Sequence, residues 1–371
     1  MRPPEHVVRA LLDLPGPACA YVYDTATLRA RVAAVRQSLP VPASLLYAVK
    51  ANGHPAVLDT LARECDGLEV ASGGELALAL RAGARRIVFG GPAKTDAELT
   101  AALDAGAQIN AESVHELHRI AALRPGAEVV LRVNRAGAAL TGSHSMTGTP
   151  TPFGVDETQL PAALAVPGVR IIGFHLHAVS NNLDGHAHAA FVRDALSWSQ
   201  ATGIHPRVVN VGGGFGVDYL SDTAMDLDPL RSITVPRGID LIFEPGRYLA
   251  ADAGWYAASV IDVKTTHGRT FAVLRGGTHH FRLPAAWGYD HPFTVLPVDD
   301  WPHPYPRPSA TDTDIDAVGE LCTPRDVLCR GRHVTQIRAG DLLVFGRTGA
   351  YGWDISHHDF LRHDPPVFRI L

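Results

Sequence analysis

Lys50 closes an apolar run, Leu45-Leu46-Tyr47-Ala48-Val49. A buried ammonium at such a place needs a partner. When it is partly desolvated its pKa falls, and the amine becomes fit for Schiff-base chemistry. A lysine that only snorkels from a strand end has the same spacing. Gly212-Gly213-Gly214 can bring backbone N–H groups close to phosphate oxygens with no Cβ in the way, and serves equally well as a tight turn. Ser180 and Arg247 add a hydroxyl and a guanidinium fork suited to phosphate, and Gly246 allows close backbone approach. His177 can stack on a flat ring or fill a core. Glu244 can be a surface glutamate, or the carboxylate that keeps a pyridine nitrogen protonated so that the ring withdraws electrons. With Glu69 and Arg132, this inventory suits a phosphorylated aromatic cofactor held through an imine, namely pyridoxal 5′-phosphate (PLP).

These residues must be brought to one rim. Candidate strands are 44–51, 67–72, 86–91, 107–111, 128–134, 169–178, 207–213 and 240–246. Between them lie stretches of helical period. Val57, Leu58, Leu61, Ala62 and Cys65 make one apolar face, Gly83 marks a helix end, and Ser113 with Glu116 fits a capping box. Eight strand signals alternating with helices predict a closed (β/α)8 TIM barrel, with an open doubly wound sheet as the alternative. In a barrel the site lies at the C-terminal ends of the strands, where Lys50, Glu69, Arg132, His177, Gly212–Gly214 and Glu244–Arg247 fall. The helix expected over 217–234 is poorly patterned. Beyond Leu249 apolar runs follow one another without helices, and prolines cluster at Pro302–Pro308. This predicts a cofactor-binding barrel over 24–248 and a mostly β domain from 249–371, to which 1–23 add a strand. Thr141–Pro150 reads as a mobile loop.

The chain has 371 residues, 46% of them hydrophobic, enough for roughly two domains. A net charge of -5 gives no reason to expect a nucleic-acid or membrane-surface partner. No apolar run reaches the length of a membrane span, and the start has no apolar leader, so a cytoplasmic enzyme is expected. The four cysteines and 19 histidines show no metal-ligand spacing, HHDF and GTHH included, so no metal is expected.

Seven segments, YAVKAN (47–52), GLEVASGGEL (67–76), GFHLHAVS (173–180), NVGGGFG (210–216), EPGR (244–247), GELCTPRD (319–326) and GAYG (349–352), resemble in order and spacing the ornithine/diaminopimelate decarboxylases. These are PLP enzymes with an alanine-racemase-like barrel. The resemblance implies that Lys50 holds PLP, that His177 stacks on its ring and that Glu244 faces its pyridine nitrogen. It implies that Glu69, Arg132, Ser180, Gly213, Gly214, Gly246, Arg247 and Tyr351 complete the cofactor site. It further implies a homodimer with shared active sites, in which Cys322 reprotonates Cα after CO2 leaves and Asp326 lies near the substrate of the other chain. A thiol, with a pKa of about 8.5, is a competent donor for that step.

Family members that act on diamines or diaminopimelate usually carry an acid after this cysteine, where this chain has Thr323. Losing the partner of a buried cation costs on the order of a few kcal/mol, so a distal ammonium is disfavoured. Arg282 and His279, in GGTHHFRLPAAWG, point instead to a carboxylate-bearing distal group. That segment together with CTPRD looks like the branch serving carboxylate siderophore assembly, whose substrates are of citryl-diaminopropionate type. meso-Diaminopimelate decarboxylation and PLP-dependent racemisation or epimerisation are the competing expectations.

Overall fold

The computed structural model describes residues 2–137, 140–221 and 223–371. It divides into two compact units, one of Leu28–Asp218 with Thr223–Leu249, the other of Met1–Thr27, Tyr219–Asp222 and Ala250–Leu371.

The first unit is a closed barrel of eight parallel strands: Ser44–Ala48, Gly67–Val70, Ile87–Phe89, Gln108–Ala111, Ala127–Asn134, Val169–His175, Val208–Asn210 and Asp240–Phe243. Each pairs with the next, and the eighth closes on the first through Ile242↔Ser44 and Phe243↔Leu45. Leu46, Val88, Val130, Val208 and Ile242 fill the interior, with Ile172 against them. Branched side chains pointing inward from the strands make this a packed core rather than a pore. Burying each contributes roughly 1.5–3 kcal/mol.

Helices pack outside on the faces their periodicity requires. Pro55–Glu64 buries Val57, Leu58, Leu61 and Ala62 and is capped by the His54 side chain, which accepts from the Ala56 N–H. Gly73–Arg81 ends two residues before Gly83, which takes the left-handed conformation (φ 68°) that stops a helix. The full capping box is at Thr95 and Glu98. At Ser113 only half of the expected box forms: the hydroxyl accepts from Glu116 N–H, but the Glu116 carboxylate turns to Glu112 N–H at 2.7 Å. The helix expected over 217–234 shrinks to Asp228–Arg231, and Met225, Leu227, Leu230 and Ile233 bury irregularly.

The strands that end at Lys50, His177, the glycine turn and Glu244 stop short of their expected ends, whereas the fifth strand, with Arg132, runs to Asn134 as expected. The first stops at Ala48, and Lys50 sits on a short 3-10 turn, Val49–Ala51. The sixth stops at His175, the seventh at Asn210 and the eighth at Phe243. The chain leaves the ladder two or three residues early because the rim loops bond to each other instead, as in Val211 N–H to Ile242 O at 3.0 Å and Glu244 N–H to Gly212 O at 2.8 Å.

The second unit is an eight-stranded mixed sheet. Phe293–Leu296, Leu342–Phe345, Gly254–Thr266, Arg269–Leu274, Ser309–Val318 and Val327–Arg338 lie in that order. Cys19–Tyr23 pairs with Gly254–Thr266 on one side and with Val367–Ile370 on the other, so both ends of the chain build this unit. Its core joins Val7, Leu11, Ala20, Val22, Trp255, Ala257, Leu342 and Val344. Among the described residues no helix is long and apolar enough to cross a membrane.

Candidate active site

The rim of the barrel carries a set of charges that are only partly matched. Lys50, half exposed, places Nζ 3.1 Å from Oε2 of the buried Glu69 on the second strand. Across the mouth Glu244 is buried. Its Oε1 accepts a hydrogen bond from Asn210 Nδ2, at 2.5 Å, and its Oε2 lies 3.7 Å from His175 Nε2. The other His175 nitrogen lies 3.1 Å from Asn110 Nδ2. Burial, followed by the charge of Glu69, holds the Glu244 carboxyl well above the ordinary carboxylate range. Burial, followed by the charge of Arg132, holds His175 and His177 well below the ordinary imidazole range, so both rings are neutral.

His177 lies on Gly212. That glycine has φ 69°, and a Cβ there would meet His177 Nδ1 at 2.3 Å, so no other residue fits beneath the ring. Gly214 (φ 93°) faces Val179 O, which a Cβ would meet at 2.5 Å. Gly213 presses on the Glu244 carbonyl and Gly246 on Ala51 and Ala48. The result is a cradle of bare backbone at the ends of the first, seventh and eighth strands. Ser180 is half-buried beside it, and Arg247 is buried at the start of the short helix Arg247–Ala250. The stretch read as a mobile loop carries a short strand, His144–Ser145, antiparallel to Val179–Ser180.

Arg132, on the fifth strand, is buried, with Nη1 2.9 Å from Glu112 Oε1 and its guanidinium 4.7 Å from the Phe153 ring. Glu112 also accepts from Gly91 N–H and Gly154 N–H. A second buried pair, Lys94–Glu116 at 2.8 Å, backs it. Asn110, Asn210, Glu112 and this pair were not singled out from the sequence. The signal was present in Asn110 and Asn210, amides inside otherwise apolar barrel strands.

The β unit holds the remaining expected residues. Cys322 is exposed. Thr323 Oγ1 accepts from Arg325 N–H at 3.3 Å. Arg282 is exposed, and its N–H donates to Ser356 Oγ. Tyr351 is half-buried at φ 54°, its ring 6.1 Å from Trp287. Two expectations are corrected. Asp326 is 1% exposed, with Oδ1 accepting Thr278 N–H at 2.6 Å and Oδ2 accepting Leu321 N–H at 2.8 Å. It knits the Gly276–Thr278 turn to the Cys322 loop, with both oxygens turned inward to backbone amides. His279 is 0% exposed, its ring tilted 44° against that of His280 with centroids 3.8 Å apart, and its Nε2 lies 3.5 Å from Glu320 Oε1. It belongs to an internal cluster in which Arg275 grips Glu320 at 2.7 Å from both oxygens. Among the described residues no group of three His, Cys, Asp or Glu side chains is arranged to hold a metal.

The barrel residues fit PLP on their own terms. A run of glycines packed too tightly for any Cβ, with bare backbone N–H groups, suits a phosphate. A buried carboxyl with amide and imidazole neighbours but no cation suits a pyridinium N–H. A lysine at the mouth, beside a buried carboxylate, suits an imine.

A closed barrel with this rim defines a PLP-dependent enzyme. The chain belongs to the pyridoxal-dependent decarboxylases, whose pyridoxal-binding domain matches residues 25–251. It is therefore a PLP-dependent carboxy-lyase acting on a small molecule. Over its whole length it is 39% identical to the 2-[(L-alanin-3-ylcarbamoyl)methyl]-2-hydroxybutanedioate decarboxylase of Staphylococcus aureus, of which 98% is covered. It is 34% identical to the diaminopimelate decarboxylase of Deinococcus radiodurans, over 91% of this chain and 86% of that one. The fold is that of the diaminopimelate decarboxylase of Helicobacter pylori, with a TM-score of 0.80 at 24% identity, covering 94% of this chain and 90% of the other.

Proposed function

We propose that this enzyme removes the α-carboxylate of an amino acid whose side chain ends in carboxylates, a substrate of citryl-diaminopropionate type, as a step in carboxylate siderophore assembly. The observation that carries the reading is the state of the carboxylates near Cys322. Glu320 is held by Arg275, Asp326 is filled by backbone N–H groups, and the residue after the cysteine is a threonine. Neither Glu320 nor Asp326 is exposed to meet a distal ammonium, whereas the exposed Arg282 is a cation suited to a carboxylate. The full-length likeness to the Staphylococcus aureus enzyme supports the same substrate class.

In this reading Lys50, Glu69, Arg132, His177, Ser180, Gly213, Gly214, Glu244, Gly246, Arg247 and Tyr351 hold PLP. When bound, the cofactor supplies an electron sink for the charge left at Cα by CO2. Glu244 keeps a proton at the ring nitrogen, while Asn210 and His175 fix the carboxyl that does so. Neutral His177 covers the ring without competing for that proton. Lys50 Nζ would hold the cofactor at rest, yield that place to the incoming substrate amine and take it back as the product amine leaves, and Glu69, 3.1 Å away, would orient it. Cys322 Sγ delivers the proton to Cα, from the partner in a homodimer with shared active sites. Its exposure on its own chain supports that arrangement. The enzyme works in the cytoplasm.

The test is CO2 release from PLP-loaded protein offered citryl-diaminopropionate and meso-diaminopimelate side by side, with Lys50→Ala as blank. Release from the citryl compound is expected. Release from diaminopimelate alone would make this a diaminopimelate decarboxylase and show that Thr323 does not exclude a distal ammonium.

A further inference from the structure

His188 lies in the first turn of the helix Gly185–Ala201, behind the glycine cradle. It is 1% exposed. Its Cε1 is the side-chain atom nearest Gly214 of the cradle, 3.4 Å from where a Cβ of that residue would be. The segment from Val179 to His188 wraps this floor: Asn182 N–H donates to Gly214 O at 2.8 Å, and the His188 ring packs edge-on against Phe215 with centroids 5.0 Å apart.

The tautomer can be worked out from the neighbours. Asn182 Oδ1 accepts Asp184 N–H at 2.9 Å, which orients the amide. Its Nδ2 then faces Asp184 O at 3.2 Å and His188 Nδ1 at 3.5 Å. An amide NH2 only donates, so Nδ1 accepts and the ring proton sits on Nε2. Burial pulls His188 down to about 4, so the ring is neutral near pH 7 and has this one donor. Among the described residues Nε2 has no hydrogen-bond partner. A buried donor left unpaired is costly, and Nε2 is bonded to the ring carbon that meets the cradle.

We propose that His188 is part of the phosphate site: its Nε2–H is a buried donor directed to the cofactor phosphate through the glycine cradle, adding to Ser180 and Arg247. The assignment rests on the barrel holding PLP, and it makes a distinction that cofactor binding alone does not. His188 should matter for ligands that carry the phosphate and be indifferent to those that lack it.

The experiment titrates apo-protein with PLP and with pyridoxal, following the visible absorbance of the lysine-bound ligand, in the wild type, His188→Gln, His188→Asn and His188→Phe. The 31P resonance of bound PLP is recorded in each. Glutamine can place an N–H near the Nε2 position; asparagine and phenylalanine cannot. PLP is expected to bind about tenfold or more weakly to the Asn and Phe variants, the size of one lost hydrogen bond to a charged group. Their pyridoxal affinity should be unchanged and their 31P resonance shifted, with Gln close to wild type. Equal losses for PLP and pyridoxal would reduce His188 to packing and overturn the proposal, as would Asn and Gln variants that bind PLP alike. A wild type that forms no visible band with either ligand would overturn the lysine-bound PLP reading itself.

Discussion

In the barrel, polar groups at the rim are buried but unfinished: among the described residues Glu244 has amide and imidazole neighbours and no cation paired to it, and neither His175 nor His188 has a hydrogen-bond partner at Nε2. In the β unit, the acids around Cys322 are held within the fold, with Asp326 bonded by two backbone amides and both Glu320 oxygens by Nη1 of Arg275. Burying a polar group is costly unless it is bonded. The first region is therefore shaped for a group that brings donors, acceptors and charge with it. The second is shaped to hold a loop still, while Cys322 and Arg282 stay exposed for chemistry and recognition. The same residue types that read as a site in the barrel read as scaffold in the sheet.

The sharpest break of that contrast is at the barrel. Lys50→Ala should lower the rate of CO2 release on the order of 10⁴-fold or more and abolish the visible band, while the melting temperature of apo-protein stays close to wild type. A variant that kept its rate would move the chemistry away from this rim.

Asp326→Ala tests the other side. It strands two buried N–H groups, each costing about 1–3 kcal/mol, so chemical denaturation should show a loss of about 2–5 kcal/mol, the sum of those terms less relaxation. If stability were unchanged while KM rose, Asp326 would be a substrate contact after all.

Arg282→Ala should raise KM for the carboxylate-bearing substrate roughly 10–100-fold with kcat little changed, as expected when a charge-assisted contact is lost from binding alone. An unchanged KM would remove Arg282 from the pocket.

The remaining test concerns Glu244 and carries a sign. Its folded pKa is raised, so the favourable contribution of its neutral form is complete below the ordinary value of 4.5 and is lost as pH rises through about 8. Apo-protein should therefore melt at progressively lower temperature across that window. Glu244→Gln should flatten the decline, and PLP should offset it by giving the carboxylate a cationic partner. A Glu244→Gln protein with the same pH dependence as wild type would place the titration elsewhere.

Alternating apolar strands and amphipathic helices established the (β/α)8 barrel, because burial on both faces imposes that pattern locally. Lys50, the Gly212–Gly214 turn and Glu244–Arg247 were legible because their types and positions follow from strand ends. The sequence by itself also specified Thr323 in place of an acid. What it could not determine was which charges are spent. Asp326 and His279 look like ligand-binding residues one by one, yet partners distant in the chain, Thr278 N–H for Asp326 and Glu320 for His279, fill or bury them. Asn110, Asn210 and His188 look ordinary, yet closure of the barrel sets them against Glu244 and Gly214. Residue type and spacing state what a side chain is able to do. Whether its donors and acceptors remain available depends on contacts between residues far apart in sequence, and only the folded chain decides those.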